Sequence, residues 1–139
     1  MSFRDIVRLP ILSIFHSPAC SKSRATLAIL ERAIPTAGDP TVPRFRLDVV
    51  EYTKQPPTST QLRLAAQYLG LQGEAVQAML RPDAPKVRDV DEMIQVVGQD
   101  PARLERPIVV DWEGAKAVIG RPPERVEELI RERIEGKDE

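Results

Sequence analysis

An apolar, β-leaning run, Ile11–Phe15, breaks at the proline-containing loop His16-Ser-Pro-Ala-Cys20 and gives way at once to a helical pattern. From about Ser21 to Ala33 the residues Ala25, Ala28, Ile29 and Arg32 fall at helical spacings, with Leu27 and Leu30 widening the apolar face. Ile34 to Pro43 holds three prolines and a glycine and is expected to be an irregular connector. Arg44–Val50 then alternates Phe45, Leu47 and Val49 with polar neighbours, the period of a half-buried strand. Strand, helix and strand at this spacing make a βαβ unit, whose two strands are parallel. The first crossover of the fold is therefore set by the segment that carries the only cysteine.

Downstream the pattern is helical and then β. Thr58 followed by Gln61 has the spacing of a capping box, opening a helix that runs to about Leu69 and stops at Gly70. Glu74–Leu80 reads as a short helix ending before Arg81-Pro82. Asp89 with Glu92 caps another helix through about Val97, and Asp100-Pro101 can open a single turn. Pro107–Trp112 and Ala115–Ile119 flank a glycine-containing turn and read as a β-hairpin. Pro123 to about Ile134 places Val126, Leu129, Ile130 and Ile134 on one helical face. The expected order is βαβ, a helical middle and ββα: one α/β domain over residues 1–139, with a helical insertion at about 58–104.

A lone cysteine excludes an intramolecular disulfide and a cysteine-rich zinc site, and a lone histidine excludes a histidine cluster, so no metal is expected. Twenty basic residues against 21 acidic ones leave a net charge of −1, which gives no bulk attraction for nucleic acid or an acidic membrane. No stretch approaches the ~20 apolar residues of a membrane span. Met1–Pro10 lacks a signal-peptide core. Two arginines near the start leave an organelle role open, although Asp5 argues against one, and a cytoplasmic protein is expected.

Cys20 is placed where backbone N–H groups at a helix start favour a thiolate. A free cysteine is either a small buried apolar residue or a reactive thiol, and the polar, cationic flank Ser21-Lys22-Ser23-Arg24 favours the second. Ser23 occupies the second position of a Cys-x-x-Cys spacing and can donate to the thiolate but cannot form a disulfide. Any adduct on Cys20 must therefore be resolved by an external thiol. His16 either stabilises the thiolate as imidazolium or organises the loop through an N–H. Arg81, Arg106 and Arg121 each precede a proline, which pushes them out of helix interiors. They are either unrelated surface residues or a set of forked donors for a tetrahedral oxyanion.

Taken together, His16-x-Pro18-Ala19-Cys20-x-x-Ser23-Arg24, Leu80-Arg81, Arg106-Pro107-Ile-Val-Val110, Gly120-Arg121-Pro122 and Tyr52-x5-Thr58 resemble the motifs of the glutaredoxin-coupled arsenate reductase family. The similarity runs from about Ile11 to Ile130. This resemblance implies a thioredoxin-like fold, Cys20 as nucleophile, His16 and Ser23 supporting its thiolate, and Arg24, Arg81, Arg106 and Arg121 binding arsenate. It also implies that Pro107 is a cis-proline facing the cysteine, that glutathione is a co-substrate with no bound cofactor, and that glutaredoxin is the partner. Two other activities fit the same residues: a glutathione-dependent thiol-disulfide reductase, and a non-catalytic regulator resembling the Spx-type RNA polymerase-binding proteins.

Overall fold

The computed structural model describes residues 9–120 and 124–134. In chain order the elements are β1 (Ile11–His16), α1 (Ser21–Ala33), β2 (Pro35–Thr36), β3 (Asp39–Pro43), β4 (Arg46–Glu51), α2 (Ser59–Tyr68), a 3-10 helix (Gly73–Met79), α3 (Val90–Gln99), a 3-10 turn (Pro101–Arg103), β5 (Ile108–Asp111), β6 (Lys116–Ile119) and α4 (Glu124–Ile134). Four strands form one sheet in the order β4-β1-β5-β6. β1 and β4 are parallel, with Ile11 opposite Arg46 and His16 opposite Glu51. β5 runs antiparallel to both β1 and β6. This mixed sheet, with its βαβ and ββα halves, is the thioredoxin-like α/β arrangement.

Side-chain alternation along the strands divides the core into two layers. Leu12 and Ile14 of β1 and Val109 of β5 pack with Leu30 of α1 and with Val126, Leu129 and Ile130 of α4. Phe15, Ile108 and Val110 point the other way, into the helices between β4 and β5, where they meet Leu62, Ala65, Met93, Val97 and Leu104. Both faces of the two central strands are therefore covered, which is why Ile11–Phe15 and Ile108–Val110 read as near-continuous apolar runs. Among the described residues, no helix is long and apolar enough to cross a membrane.

The helical segment owes its boundaries to local chemistry. Thr58 and Gln61 form a reciprocal capping box: Gln61 N–H donates to Thr58 Oγ1 (3.1 Å) and Thr58 N–H donates to Gln61 Oε1 (3.0 Å). Past the end of α2, Gly70 takes φ +74°, a left-handed conformation that costs glycine little. Asp89 accepts from Glu92 N–H at 2.9 Å and opens α3.

Two expectations are corrected, on the proline-rich segment and on the buried stripe of α1, and one helix is given its type. The proline-rich segment after α1 is a two-stranded hairpin rather than an irregular connector. Pro35 and Pro43 stand opposite each other at its open end, and the Thr36 hydroxyl donates to Val42 O at 2.6 Å. Prolines are tolerated there because such a ribbon has edges that pair with nothing. The short helix around Glu74–Leu80 is a 3-10 helix, Gly73–Met79. The buried stripe of α1 is Ser23, Thr26 and Leu30, with Ala25 and Arg32 exposed. Two hydroxyl residues thus occupy the face turned to the sheet, and Ser23 does so because it has polar partners there.

Candidate active site

The carboxyl ends of parallel strands are where α/β proteins place ligands, since connecting loops and helix N-termini converge there. Here that edge collects β1 at His16, β4 at Glu51 and, because β5 is antiparallel, the amino-terminal side of β5 at Arg106-Pro107. The Arg106–Pro107 peptide is cis. Gly120 N–H donates to Pro107 O at 2.9 Å. A Cβ on Gly120 would meet Pro107 Cγ at 2.8 Å and Thr26 Oγ1 at 3.1 Å, so only glycine lets β6 end this close to the proline and α1. Arg121, the next residue, lies outside the described residues.

Cys20 is the N-cap residue of α1, in extended conformation (φ −96°, ψ 122°), and is partly buried. Its N–H donates to Ser17 O at 3.0 Å, closing the loop. Burial by itself pushes the thiol up. The N–H groups of Ser23 and Lys22 and the Arg106 guanidinium act against burial and outweigh it, holding the thiol below its ordinary value. The stabilisation is that of a helix N-terminus joined by one cation from a distant part of the chain.

His16 follows the same alternation as Leu12 and Ile14 and faces α1, where its Nδ1 lies 2.6 Å from Ser23 Oγ. Ser17 N–H donates to the same oxygen at 3.0 Å. The Ser23 hydroxyl therefore ties the strand end and the loop to the first turn of α1, and it is the backbone N–H of Ser23 that acts on the sulfur. Burial lowers the His16 pKa, with Arg24 acting in the same direction and Glu51 and Glu31 opposing. Burial disfavours the imidazolium, and the Nδ1 contact with Ser23 favours the alternative in which His16 organises the loop. Arg24 donates from Nη1 to Pro18 O at 2.8 Å, so its guanidinium braces the loop from outside.

Arg81 reaches the same edge by a backbone route. Leu80 and Leu104 form an isolated bridge, with Glu105 N–H donating to Met79 O (2.7 Å) and Arg81 N–H to Arg103 O (2.8 Å). This pins Arg81 beside the segment that leads into Arg106. Arg81, Arg103 and Arg106 line one cleft of about 420 Å³ together with Asp83 and Asp100. Arg106 also donates from Nη1 to Ala102 O at 3.2 Å. Cys20, Arg106 and Arg81 are thus gathered at one edge, while His16 and Ser23 form the support beneath.

Two further residues lie beside the site without a role in the sequence reading, although Tyr52 stands in one of the family motifs. Arg103 adds a third guanidinium to the cleft, and its nearness to Arg81 depends on the Leu80–Leu104 bridge, which leaves no local sequence pattern. Tyr52 immediately follows β4, and its hydroxyl lies within electrostatic reach of Arg106, Arg81 and Cys20. Its position next to a parallel strand end was the signal available. Among the described residues, no group of three or more His, Cys, Asp or Glu is placed to hold a metal ion.

Comparison with known proteins agrees with this geometry. Residues 3–120 match the family described as "Protein of unknown function (DUF1687)", to which the chain belongs. It is 33% identical over 129 residues to an arsenate reductase of Neisseria meningitidis, covering 88% of this chain and 100% of that protein. It is 32% identical over 125 residues to an arsenate reductase of Haemophilus influenzae, covering 84% and 97%. The solved arsenate reductase from Vibrio cholerae superposes with a TM-score of 0.67 at 32% identity, over 87% of this chain and 98% of that one. With relatives of that name matched along nearly their whole length, the chain belongs to the arsenate reductase family.

Proposed function

We propose that this protein reduces arsenate to arsenite through a thiolate at Cys20, with glutathione and glutaredoxin as the external reductants. The observation that carries the reading is the placement of a sole cysteine at a helix N-terminus, where first-turn N–H groups and an arginine from the far half of the chain favour its thiolate. Arsenate is a tetrahedral oxyanion, and arginine forks and helix-start N–H groups are the donors that suit one. Arg106 and Arg81 are the guanidiniums that would hold it, with Arg121 as the third implied by the family motifs.

The Cys20 thiolate attacks arsenic, an arsenate oxygen leaves as water after protonation, and a sulfur–arsenic(V) bond forms. Glutathione thiol then displaces a second hydroxyl as water, giving arsenic two sulfur ligands. A glutaredoxin thiolate attacks the glutathione sulfur. The electron pair of the glutathione–arsenic bond stays on arsenic, which becomes As(III), and the two thiols depart as a mixed disulfide. Hydrolysis of the remaining bond returns arsenite and the Cys20 thiolate. With serine at position 23, no second thiol in the motif can resolve the adduct internally, so both reducing thiols come from outside. The cytoplasm, where glutathione is kept reduced, is the compartment this chemistry suits.

The test is NADPH oxidation in the presence of glutathione reductase, glutathione and glutaredoxin. Arsenate-dependent turnover that disappears in Cys20→Ser is the expected result. Turnover on disulfides without any need for arsenate would replace this reading with a thiol-disulfide reductase. Absence of both, with capture of RNA polymerase, would replace it with a regulator.

A further inference from the structure

We propose that the Tyr52 hydroxyl donates a hydrogen bond to the oxyanion bound at Cys20 and Arg106, and so serves as an additional substrate-binding group. The inference rests on the anion-site reading above. The Tyr52 ring is fully buried, packed with Phe15 and the apolar residues of the helical segment. Its Oη is also buried; the Arg106 guanidinium acts on it as a donor, and no acceptor for its own proton lies within hydrogen-bond reach. Folded proteins rarely leave a buried hydroxyl in that state, and those that do often reserve it for a ligand.

The surroundings specify which ligand. Tyr52 is the first residue past β4, next to the Glu51–His16 pair from which the Cys20 loop departs. Alternation along β4 puts Tyr52 on the same side as Val50, facing the helical segment, while His16 faces α1. The charges acting on the hydroxyl are those of Arg106, Arg81 and Cys20. A guanidinium carries N–H donors and no acceptor, so either arginine can engage only a lone pair of Oη and can never receive its proton. No hydrogen bond joins Oη to the Cys20 sulfur, so its proton lacks an acceptor until a tetrahedral oxyanion docked on Arg106 brings several. Burial raises the Tyr52 pKa even against the nearby arginines, so the group keeps its proton at neutral pH and remains a donor.

The arrangement separates binding from folding. A hydroxyl that served the fold would cost stability when removed. One that waits for a ligand would not, because its deletion relieves a buried proton that has no acceptor. Tyr52→Phe keeps the ring and is the variant of choice. Arsenate and sulfate affinities are measured by calorimetry on the full chain without reductant, alongside urea unfolding and the ionisation midpoint of Cys20 without anion. Tyr52→Phe is expected to weaken both anions about tenfold, as for loss of a donor to a charged acceptor. The unfolding midpoint should stay level or rise, and the Cys20 midpoint should not move.

Equal affinities in the two proteins would overturn the proposal. So would an unfolding midpoint that falls, which would assign the hydroxyl to the fold. A Cys20 midpoint raised without anion would assign it to the sulfur and also overturn the proposal. If the parent protein binds neither anion, the anion site itself is refuted and this inference falls with it. That result is distinguishable from a parent that binds and a variant that binds equally.

Discussion

Ser23→Ala removes the oxygen on which the cysteine loop is hung. Ser23 is fully buried, and its Oγ is within 2.6 Å of His16 Nδ1 and 3.0 Å of Ser17 N. Alanine leaves a buried ring nitrogen and a partly buried N–H without that partner. Each loss costs about 1–3 kcal/mol, the Ser17 N–H at the low end because water can reach it. Alanine is the better helix former by at most about 0.5 kcal/mol, which offsets only a small part. The net loss is about 2–3 kcal/mol, a large share of the roughly 5–15 kcal/mol that keeps a domain folded. Urea unfolding followed by the fluorescence of Trp112, the only tryptophan, reads it directly. At a slope of about 2 kcal/mol per molar urea the midpoint should fall by about 1–1.5 M. In a double-mutant cycle with His16→Phe the two losses should overlap by about 1 kcal/mol or more, since they share one contact. A midpoint shift below about 0.3 M, or losses that simply add, would refute the reasoning.

Three further outcomes are expected. His16 has a lower pKa folded than unfolded, so the unfolded chain binds the proton first. Its contribution to stability is complete above about pH 6.5 and is lost as pH falls through the folded value; the parent should lose more stability between pH ~7.5 and ~5.5 than His16→Gln does, and equal losses would contradict this. Arg106→Ala removes a cation and donor from the sulfur and should raise the Cys20 midpoint while weakening arsenate at least tenfold; unchanged values for both would return Arg106 to a surface role. Asp111 is almost fully buried, accepts from Gly114 N–H at 3.0 Å and pairs with Arg133 Nε at 3.4 Å, fastening the β5–β6 hairpin to α4. Asp111→Ala should cost about 3 kcal/mol, a fall of roughly 10 °C in Tm, and a loss under about 1 kcal/mol would show that the pair contributes little.

What could be read from the residues was whatever nearest neighbours decide. α1 begins at Ser21 and ends at Ala33 as its spacing implies, and the Thr58–Gln61 and Asp89–Glu92 caps are contacts over three residues. β1, β5 and β6 were legible because strands covered on both faces or paired in a hairpin carry strong apolar patterns. The β2–β3 hairpin was hidden by its prolines, whose local rules argue against strands although an unpaired ribbon tolerates them. The burial of Ser23 was hidden for a similar reason: a serine looks like a surface residue until its long-range partner, His16, is known.

The site divides along the same line. Cys20 announces itself through its own loop and helix. The approach of Arg106 and Arg81 to one edge depends on the β1–β5 register and on the Leu80–Leu104 bridge, neither of which leaves a mark within a window of a few residues. The state of the Tyr52 hydroxyl is legible only in three dimensions, as a buried group whose proton has no acceptor.

The most direct test of the account is the ionisation of Cys20, followed by thiolate absorbance across the pH range with Cys20→Ser as the blank. A midpoint clearly below the ~8.5 of an ordinary thiol is predicted, because two N–H groups and Arg106 outweigh the cost of burial. A midpoint at or above that value would mean that burial dominates, and the nucleophile on which the proposed reaction depends would be absent.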